Sequence, residues 1–568
     1  MPYHAPLTDF RFLLDHVVGF DRVAATARFA DAVPETVDAI LTEAARLTGG
    51  VMAPLNRNGD LHPARLENGV VRTSDGFAEG YRAIADGGWV GMSATPEHGG
   101  MGLPMTLTTA VNEMMSGACL ALQLNPLLTQ GQIEALEHHA SDALKAVYLP
   151  KLISGEWNGT MNLTEPQAGS DVGALRATAV PTADGSYAVT GQKIYISWAD
   201  ADFMANTCHL VLARLPGAAA GTGGISLFLV PKFLPDAAGN PGARNALSVV
   251  SLEHKLGLHG SPTAVMQYDG ATGWLVGAPH KGMAAMFTMM NNARLGVGVQ
   301  GVGVAEAAFQ QALAYATGRV QGRTPVTGAG TIIDHADVRR MLAVMRAEVF
   351  SARAIALSCA VAIDMARATG AAEWQARAAL LTPIAKAFGT DVGHDVAQMG
   401  VQVHGGMGFV EETGAAQFAR DVRVTSIYEG TNGIQAMDLV ARKMADGGEA
   451  AFRLIDEVQA GAEAARAVLP DLAGAVWTAA EALRDATEAL VAQGMNDRFA
   501  GAVPFLRAFA RVLGGDAHLR AALAGGRERT ALARVAIRRL MPEYAALLAQ
   551  VREGADDLYA LSPEDLGA

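Results

Sequence analysis

In the segment Thr425-Ser-Ile-Tyr-Glu-Gly-Thr-Asn-Gly-Ile-Gln435, one carboxylate precedes two glycines and two side chains able to cap a helix. Gly430 and Gly433 permit backbone angles closed to other residues, and Thr431 or Asn432 can cap the helix that Ile434, Met437, Leu439 and Val440 begin. The rest of the chain reads as arranged to bring something to Glu429. A solvated acid beside a cap fits the same pattern.

Four further segments offer groups for a ligand. Leu163-Thr-Glu-Pro-Gln-Ala-Gly-Ser-Asp171 combines a loop set by Pro166 and Gly169 with the hydroxyls of Thr164 and Ser170. It suits a phosphate-binding nest and an ordinary connection equally. Gln402-Val-His-Gly-Gly-Met-Gly408 lets a backbone pass close to a ligand or another chain. His404 in it reads as a hydrogen-bonded structural histidine, because no nucleophile or second zinc ligand stands at the required spacing. Arg319-Val-Gln-Gly-Arg323 and His335-Ala-Asp-Val-Arg-Arg340 flank the Gly- and Thr-rich piece 322–331, which reads as a loop, and supply cations or surface ion pairs. Gly296-Val-Gly-Val-Gln-Gly301 fits the dinucleotide fingerprint in spacing only. Its flanks are helical on both sides, so its glycines are expected to let two helices approach closely.

The elements that must position these groups follow from hydrophobic period. Residues up to about Leu163 are mostly helical, with Thr8 and Asp9 as caps of the first helix, helices at Pro34–Leu47 and Ala78–Gly87, and a loop at Pro96–Pro104. After Thr164 short β-branched runs follow, at Ser186–Thr190, Lys193–Ser197, His209–Ala213, Gly224–Val230 and Thr263–Tyr268. They predict an antiparallel sheet or small barrel without alternating helices. From Lys281 helices return, with Met283, Met286, Phe287 and Met290 as a core stripe. Residues 451–568 form a further bundle broken at Gly514-Gly515 and Gly525-Gly526.

The 568 residues exceed what one core serves, and half of them are apolar. We expect units at 1–160, 161–280, 281–450 and 451–568, an α+β class that is mainly α. No apolar run reaches bilayer-spanning length, and the N-terminus lacks a basic region followed by an apolar core, so a cytoplasmic protein is expected. Cys119, Cys208 and Cys359 read as buried thiols, giving neither disulfides nor a metal site. A net charge of −13 opposes a nucleic-acid surface. The run Arg520, Arg527, Arg529, Arg534, Arg538 and Arg539 reads as a solvated helix face, since 451–568 holds 13 Arg against 16 acids.

In this order the segments resemble the acyl-CoA dehydrogenase family of flavoproteins. Pro6–Leu14, Glu253–Thr263, Glu411–Ala416 and the extra helical tail resemble its large subgroup, whose members act on 3-methylmercaptopropionyl-CoA and other acyl chains. The resemblance implies an N-terminal helical domain, a central β domain, a C-terminal helical domain, and FAD-dependent oxidation of an acyl-CoA to the trans-2-enoyl-CoA. Glu429 is then the α-proton base. Leu163, Thr164, Gly169, Ser170, Tyr195, Ile196 and Ser197 match flavin contacts, as do Thr431 and Asn432. Arg319, Gln321, His335, Gln402, Gly405 and Gly406 match groups reaching FAD across a subunit boundary. Ser170, Asn291, Arg294, Tyr428 and Gly430 match substrate contacts. Asn291 stands where an Asp is common, and Trp198-Ala-Asp-Ala-Asp202 departs from the family's continuation. The resemblance further implies a homo-oligomer, a dimer above all, and an electron-transfer flavoprotein as acceptor. Alternatives are an acyl-CoA oxidase using dioxygen and a DNA-binding flavoprotein of the same fold, the latter opposed by the acidic tail. The helix through Leu120–Leu128 is the expected floor of the acyl pocket.

Overall fold

The computed structural model describes residues 3–326 and 328–568, the side chains of 328 and 329 excepted. The principal elements are, in order, α1 (Leu7–His16), α2 (Pro34–Leu47), α3 (Met105–His139), β1 (Trp157–Asn162), β2 (Thr178–Pro181), β3 (Tyr187–Ser197), β4 (Asn206–Arg214), β5 (Ile225–Pro231), β6 (Leu247–Leu252) and β7 (Thr263–Val276). Then come α4 (Gly282–Gly318), α5 (Ala336–Thr369), α6 (Ala372–His404), α7 (Ala415–Val422), α8 (Asn432–Ala441), α9 (Glu449–Ala465), α10 (Pro470–Ala492), α11 (Ala502–Ala524), α12 (Arg527–Val535) and α13 (Glu543–Glu553). α2 shows the local logic: Pro34 opens it, and Val37, Leu41, Ala44 and Leu47 line one buried face.

The β region is a mixed sheet that closes on itself, because β5 pairs with both β7 and β4 while β3 and β2 complete the ring. Two expectations change here. β1, expected within the helical region, is a strand, and it pairs in parallel with β4, so the sheet is not purely antiparallel. Trp157-Asn-Gly-Thr-Met-Asn162 is buried almost throughout and therefore lacks the alternation that marks a half-exposed strand. The piece 322–331, expected as loop, lies largely in a short two-stranded ribbon of residues 320–324 and 328–331, with residue 327 outside the described residues.

α4 and α6 cross at backbone contact. A Cβ on Gly298 would lie 2.7 Å from the Ala385 carbonyl oxygen, and one on Gly301 would lie 2.3 Å from that of Gly389. The glycine-rich motif is thus a helix-packing device, as its helical flanks require. α5 is the one helix among the described residues long and apolar enough to cross a membrane, and 83% of its most apolar window is buried inside the protein. The tail is not a separate bead: Leu454, Val476, Phe505 and Phe509 share a core with Val299, Val349 and Phe388.

Three more expectations are corrected. Asp9 does not cap α1; it is buried and ion-paired with Arg346 at 2.7 Å, Arg353 at 3.2 Å and Arg529 at 2.7 Å. Arg529 is therefore no solvated residue, and its guanidinium also lies over the Phe12 ring at 4.3 Å. Arg353, fully buried, also holds Glu113 and Glu306 at 2.6 and 2.8 Å. The cluster ties α1, α3, α4, α5 and α12 together. Gly514-Gly515 lies inside α11, where a Cβ on Gly514 would meet the Ser351 hydroxyl at 2.9 Å; smallness, not helix breaking, is what the position needs.

Gly301→Ala is expected to destabilise the fold by about 1–3 kcal/mol through overpacking, read as a lowered unfolding temperature. Gly318→Ala on the same helix meets open space and is expected to be neutral or mildly stabilising.

Candidate functional site

The turn between α7 and α8 carries the site. Glu429 occupies the left-handed region at φ 58°, rare for a residue with a Cβ, and Gly430 follows at φ 82°. Such strain persists only when the surroundings fix it. Here the fully buried Lys386 of α6 donates from Nζ to the Gly430 carbonyl at 3.0 Å and to Asn432 Oδ1 at 2.9 Å. Gln435 Nε2 donates to the Glu429 and Gly430 carbonyls at 3.1 and 3.3 Å. Thr431 caps α8 by accepting the Ile434 N–H at 3.3 Å. Asn432 turns inward, its amide donating to Asp391 at 2.7 Å and to Thr390 at 3.0 Å.

The Glu429 carboxylate keeps one oxygen unpartnered. Its Oε2 is buried without a hydrogen-bond partner. Burial pushes its pKa up to about 7, opposed by the positive charges of Arg294 and Lys386. Lys386 is itself pushed down to about 8 by burial. Arg294 of α4, buried, is held by Asp438 at 3.8 Å and by Asn291 Oδ1 at 3.5 Å. Its guanidinium lies over the Phe287 ring at 5.8 Å. The Tyr428 hydroxyl donates to Gln300 Oε1, and Gln300 Nε2 donates to Gln123 Oε1 at 2.9 Å.

A second group gathers at the end of β3. Buried Lys193 donates to the Leu163 carbonyl at 3.0 Å and to Glu165 at 2.8 Å, and the Ile194 N–H donates to the Thr164 carbonyl at 3.0 Å. Glu165 also accepts the N–H groups of Arg176 and Ala177. This clasp leaves Gly169 and Ser170 exposed on the loop. Tyr195 stands out from the strand at φ 61° with 62% of its surface exposed, while Ile196 is buried and Ser197 half-buried. An exposed aromatic beside open backbone N–H groups fits a flavin with its phosphates. Trp198 turns back at φ 54°, fully buried, and its indole N–H donates to the Ala121 carbonyl at 3.0 Å. The departure at 198–202 thus packs Trp198 against α3, while Asp200 pairs with Lys232 at 2.6 Å.

A third group lies elsewhere. Tyr315 and His404 stack with ring centroids 4.5 Å apart, joining the ends of α4 and α6, and His404 Nδ1 bonds the Gly400 carbonyl at 2.7 Å, the structural role expected of it. Arg319, Gln321, Gln402, Gly405 and Gly406 are exposed there, and His335 bonds the Gln321 carbonyl at 2.9 Å. Within one copy α4 runs from Arg294 to this end, roughly 36 Å by helix rise. The structure therefore unites Asn291, Arg294 and Tyr428–Asn432, unites residues 163–170 with 195–197, and keeps the third group apart from the base.

Sequence reasoning missed Lys386, Gln435, Gln300 and Gln123. The available signal was a lysine within the apolar run Leu380–Phe388, since a charge inside a buried helix needs a partner.

Comparison with known proteins bears on the whole chain. Models of the acyl-CoA dehydrogenase N-terminal, middle and C-terminal domains match residues 63–156, 160–271 and 280–445, and one described as acetyl-CoA dehydrogenase C-terminal like matches 454–562. The 3-methylmercaptopropionyl-CoA dehydrogenase of Ruegeria pomeroyi is 47% identical over 521 residues, covering 89% of this chain and 88% of that one. Among solved structures, Caenorhabditis elegans ACDH-11 in complex with C11-CoA superposes with a TM-score of 0.80 at 20% identity over 95% of this chain and 92% of that one. A Bacillus anthracis acyl-CoA dehydrogenase complexed with FAD gives 0.76 at 21% over 98% and 92%. With four family domains matched in sequence order and 47% identity over 521 residues to a relative covered to 88% of its length, the chain belongs to the acyl-CoA dehydrogenase family of FAD-dependent enzymes, with the additional C-terminal helical domain.

Proposed function

We propose that the protein oxidises a short acyl-CoA thioester, 3-methylmercaptopropionyl-CoA or a close analogue, to the trans-2-enoyl-CoA, with Glu429 as the base. The observation that carries this is a desolvated carboxylate with a free oxygen on a clamped left-handed turn. The substrate class is supported by the relative that shares 47% of its residues and is named for that thioester.

Glu429 takes the α-proton. Its free Oε2 makes no hydrogen bond that would weaken it as a base, and the clamps from Lys386 and Gln435 hold the turn while the charge on the carboxylate changes. On this reading the Glu429 N–H steadies the thioester oxygen as it gains charge. Bound FAD supplies the acceptor for the hydride that leaves Cβ. Leu163, Thr164, Gly169, Ser170, Tyr195, Ile196 and Ser197 hold it from the β region, with Thr431 and Asn432 beyond the base. Ser170, Asn291, Arg294, Tyr428 and Gly430 face the acyl-CoA.

Arg319, Gln321, His335, Gln402, Gly405 and Gly406 serve the FAD of a second copy. Their exposure and their distance from Glu429 along α4 support a homodimer. The electrons then pass to an electron-transfer flavoprotein in the cytoplasm. The functional units are those at 1–160, 161–280, 281–450 and 451–568.

Glu429→Gln is expected to keep bound flavin but to slow its anaerobic bleaching by acyl-CoA about a thousandfold. Wild-type-like bleaching would place the base elsewhere. Turnover with a flavoprotein acceptor is expected without stoichiometric hydrogen peroxide; peroxide in step with product would make the enzyme an oxidase.

Because Glu429 must be ionised, kcat/KM is expected to rise with pH through about 7. Lys386→Met removes a positive charge that favours the ionised form, so the rise is expected to move upward by about one pH unit and kcat to fall. An unmoved profile would show that Lys386 does not act on the base.

A further inference from the structure

α3 is interrupted where it meets the site. Cys119 departs from helical angles at φ −158° and ψ 91°, and the segment after it lies between two functional walls. On one side the Trp198 indole, at the end of the proposed flavin-facing strand, bonds the Ala121 carbonyl at 3.0 Å. On the other, Gln300 bonds Gln123 at 2.9 Å and itself accepts from Tyr428, the neighbour of the base. If the reacting Cα–Cβ bond lies between base and flavin, the acyl chain beyond Cβ runs towards the part of α3 that both walls touch.

Over residues 120–124 that part is apolar except for Gln123, and Asn125 follows, buried with both amide atoms unpartnered. The neighbours of Gln123 are Leu120, Ala121, Leu122 and Leu124, all buried. The Gln123 side chain has no exposed surface, and its Nε2 has no hydrogen-bond partner. With Gln300 Nε2 donating to Gln123 Oε1, the end of the Gln123 amide left over is the Nε2 donor, the end from which a thioether or ether heteroatom can accept. A buried amide left unmatched costs about 1–3 kcal/mol, so such a group persists where a ligand or a water completes it.

Resting on the dehydrogenase assignment above, we infer that Gln123 is a specificity determinant whose free amide end bonds a heteroatom in the acyl chain beyond Cβ, selecting thioether- or ether-bearing acyl-CoAs over all-carbon chains of equal length. A chain with CH2 at that place leaves the amide unsatisfied and is discriminated against. The relay to Tyr428 fixes the amide plane, so recognition is set by the same turn that carries the base.

The test compares 3-methylmercaptopropionyl-CoA, 3-methoxypropionyl-CoA and pentanoyl-CoA, which differ only in S, O or CH2 at one position. Wild-type protein is expected to show kcat/KM for both heteroatom substrates at least about fivefold above that for pentanoyl-CoA. In Gln123→Met, of similar length but unable to complete the bond, that ratio is expected to fall to near one. A purely structural role would lower all three substrates in proportion and leave the ratio unmoved, which overturns the proposal. So does a wild-type ratio of one or less, a result that needs no variant to fold. Flavin bleaching by all three substrates without selectivity removes the role of Gln123 and leaves the dehydrogenase assignment standing. Bleaching by none of them removes both.

Discussion

The site depends on one buried ammonium group. Lys386 has no exposed surface, and removing such a charge from water costs several kcal/mol unless acceptors surround it. The acceptors it finds are the Gly430 carbonyl and the Asn432 side chain, so its own burial is tolerated only while the turn keeps its shape. That reciprocity is what allows a glutamate to stay at a positive φ. The lysine can reach the turn because α4 and α6 touch backbone to backbone at Gly298, Gly301, Ala385 and Gly389. The same crossing carries Arg294 on α4 and Lys386 on α6. Three glycines remote in sequence from Glu429 therefore set the field in which it ionises.

The wider fold carries this arrangement in a similar way. α3 meets the relay at Gln123, and the ion cluster around Arg353 fastens α3 to α1, α4, α5 and the tail helix α12. Within that cluster Asp9 is held below its usual pKa by its arginines, whereas burial pushes Glu113 up to about 7. Three arginines, Arg346, Arg353 and Arg529, face three acids, Asp9, Glu113 and Glu306. Removing one partner would leave a charge unmatched where water cannot reach it. The tail thus acts on the N-terminal helix through charge and on α4–α6 through a shared apolar core.

What the sequence made legible was what local chemistry dictates. Glu429 before two glycines and a cap, the loop at 163–171, the β-branched strands and the glycine-rich helix face all carry their signal within a few residues. What stayed hidden depends on partners distant in the chain. Asp9 has the type and place of a cap, yet its role is set by Arg353 and Arg529, hundreds of residues away. β1 has no alternation because it is buried almost throughout. Gln123 and Gln300 are neutral residues in apolar helices, and nothing near either one announces the other. The FAD and substrate roles of individual residues came from the family pattern, not from periodicity or spacing.

For the proposed reaction, a pKa near 7 is the balance that a base at Glu429 needs. A carboxylate at its ordinary value is too weak a base for a thioester α-proton, and one raised much further would be protonated, and so idle, at neutral pH. Burial alone pushes upward, and the two cations hold the value back. Neither cation sits directly on the carboxylate: Lys386 spends its hydrogen bonds on the turn, and Arg294 is held by Asp438 and Asn291. A direct salt bridge would stabilise the anion and occupy the oxygen to which the proposed reaction delivers the proton. With the lysine bonded to the turn and not to the acid, positive charge lies near Glu429 while Oε2 stays free, the combination that keeps the proposed base both ionisable and reactive.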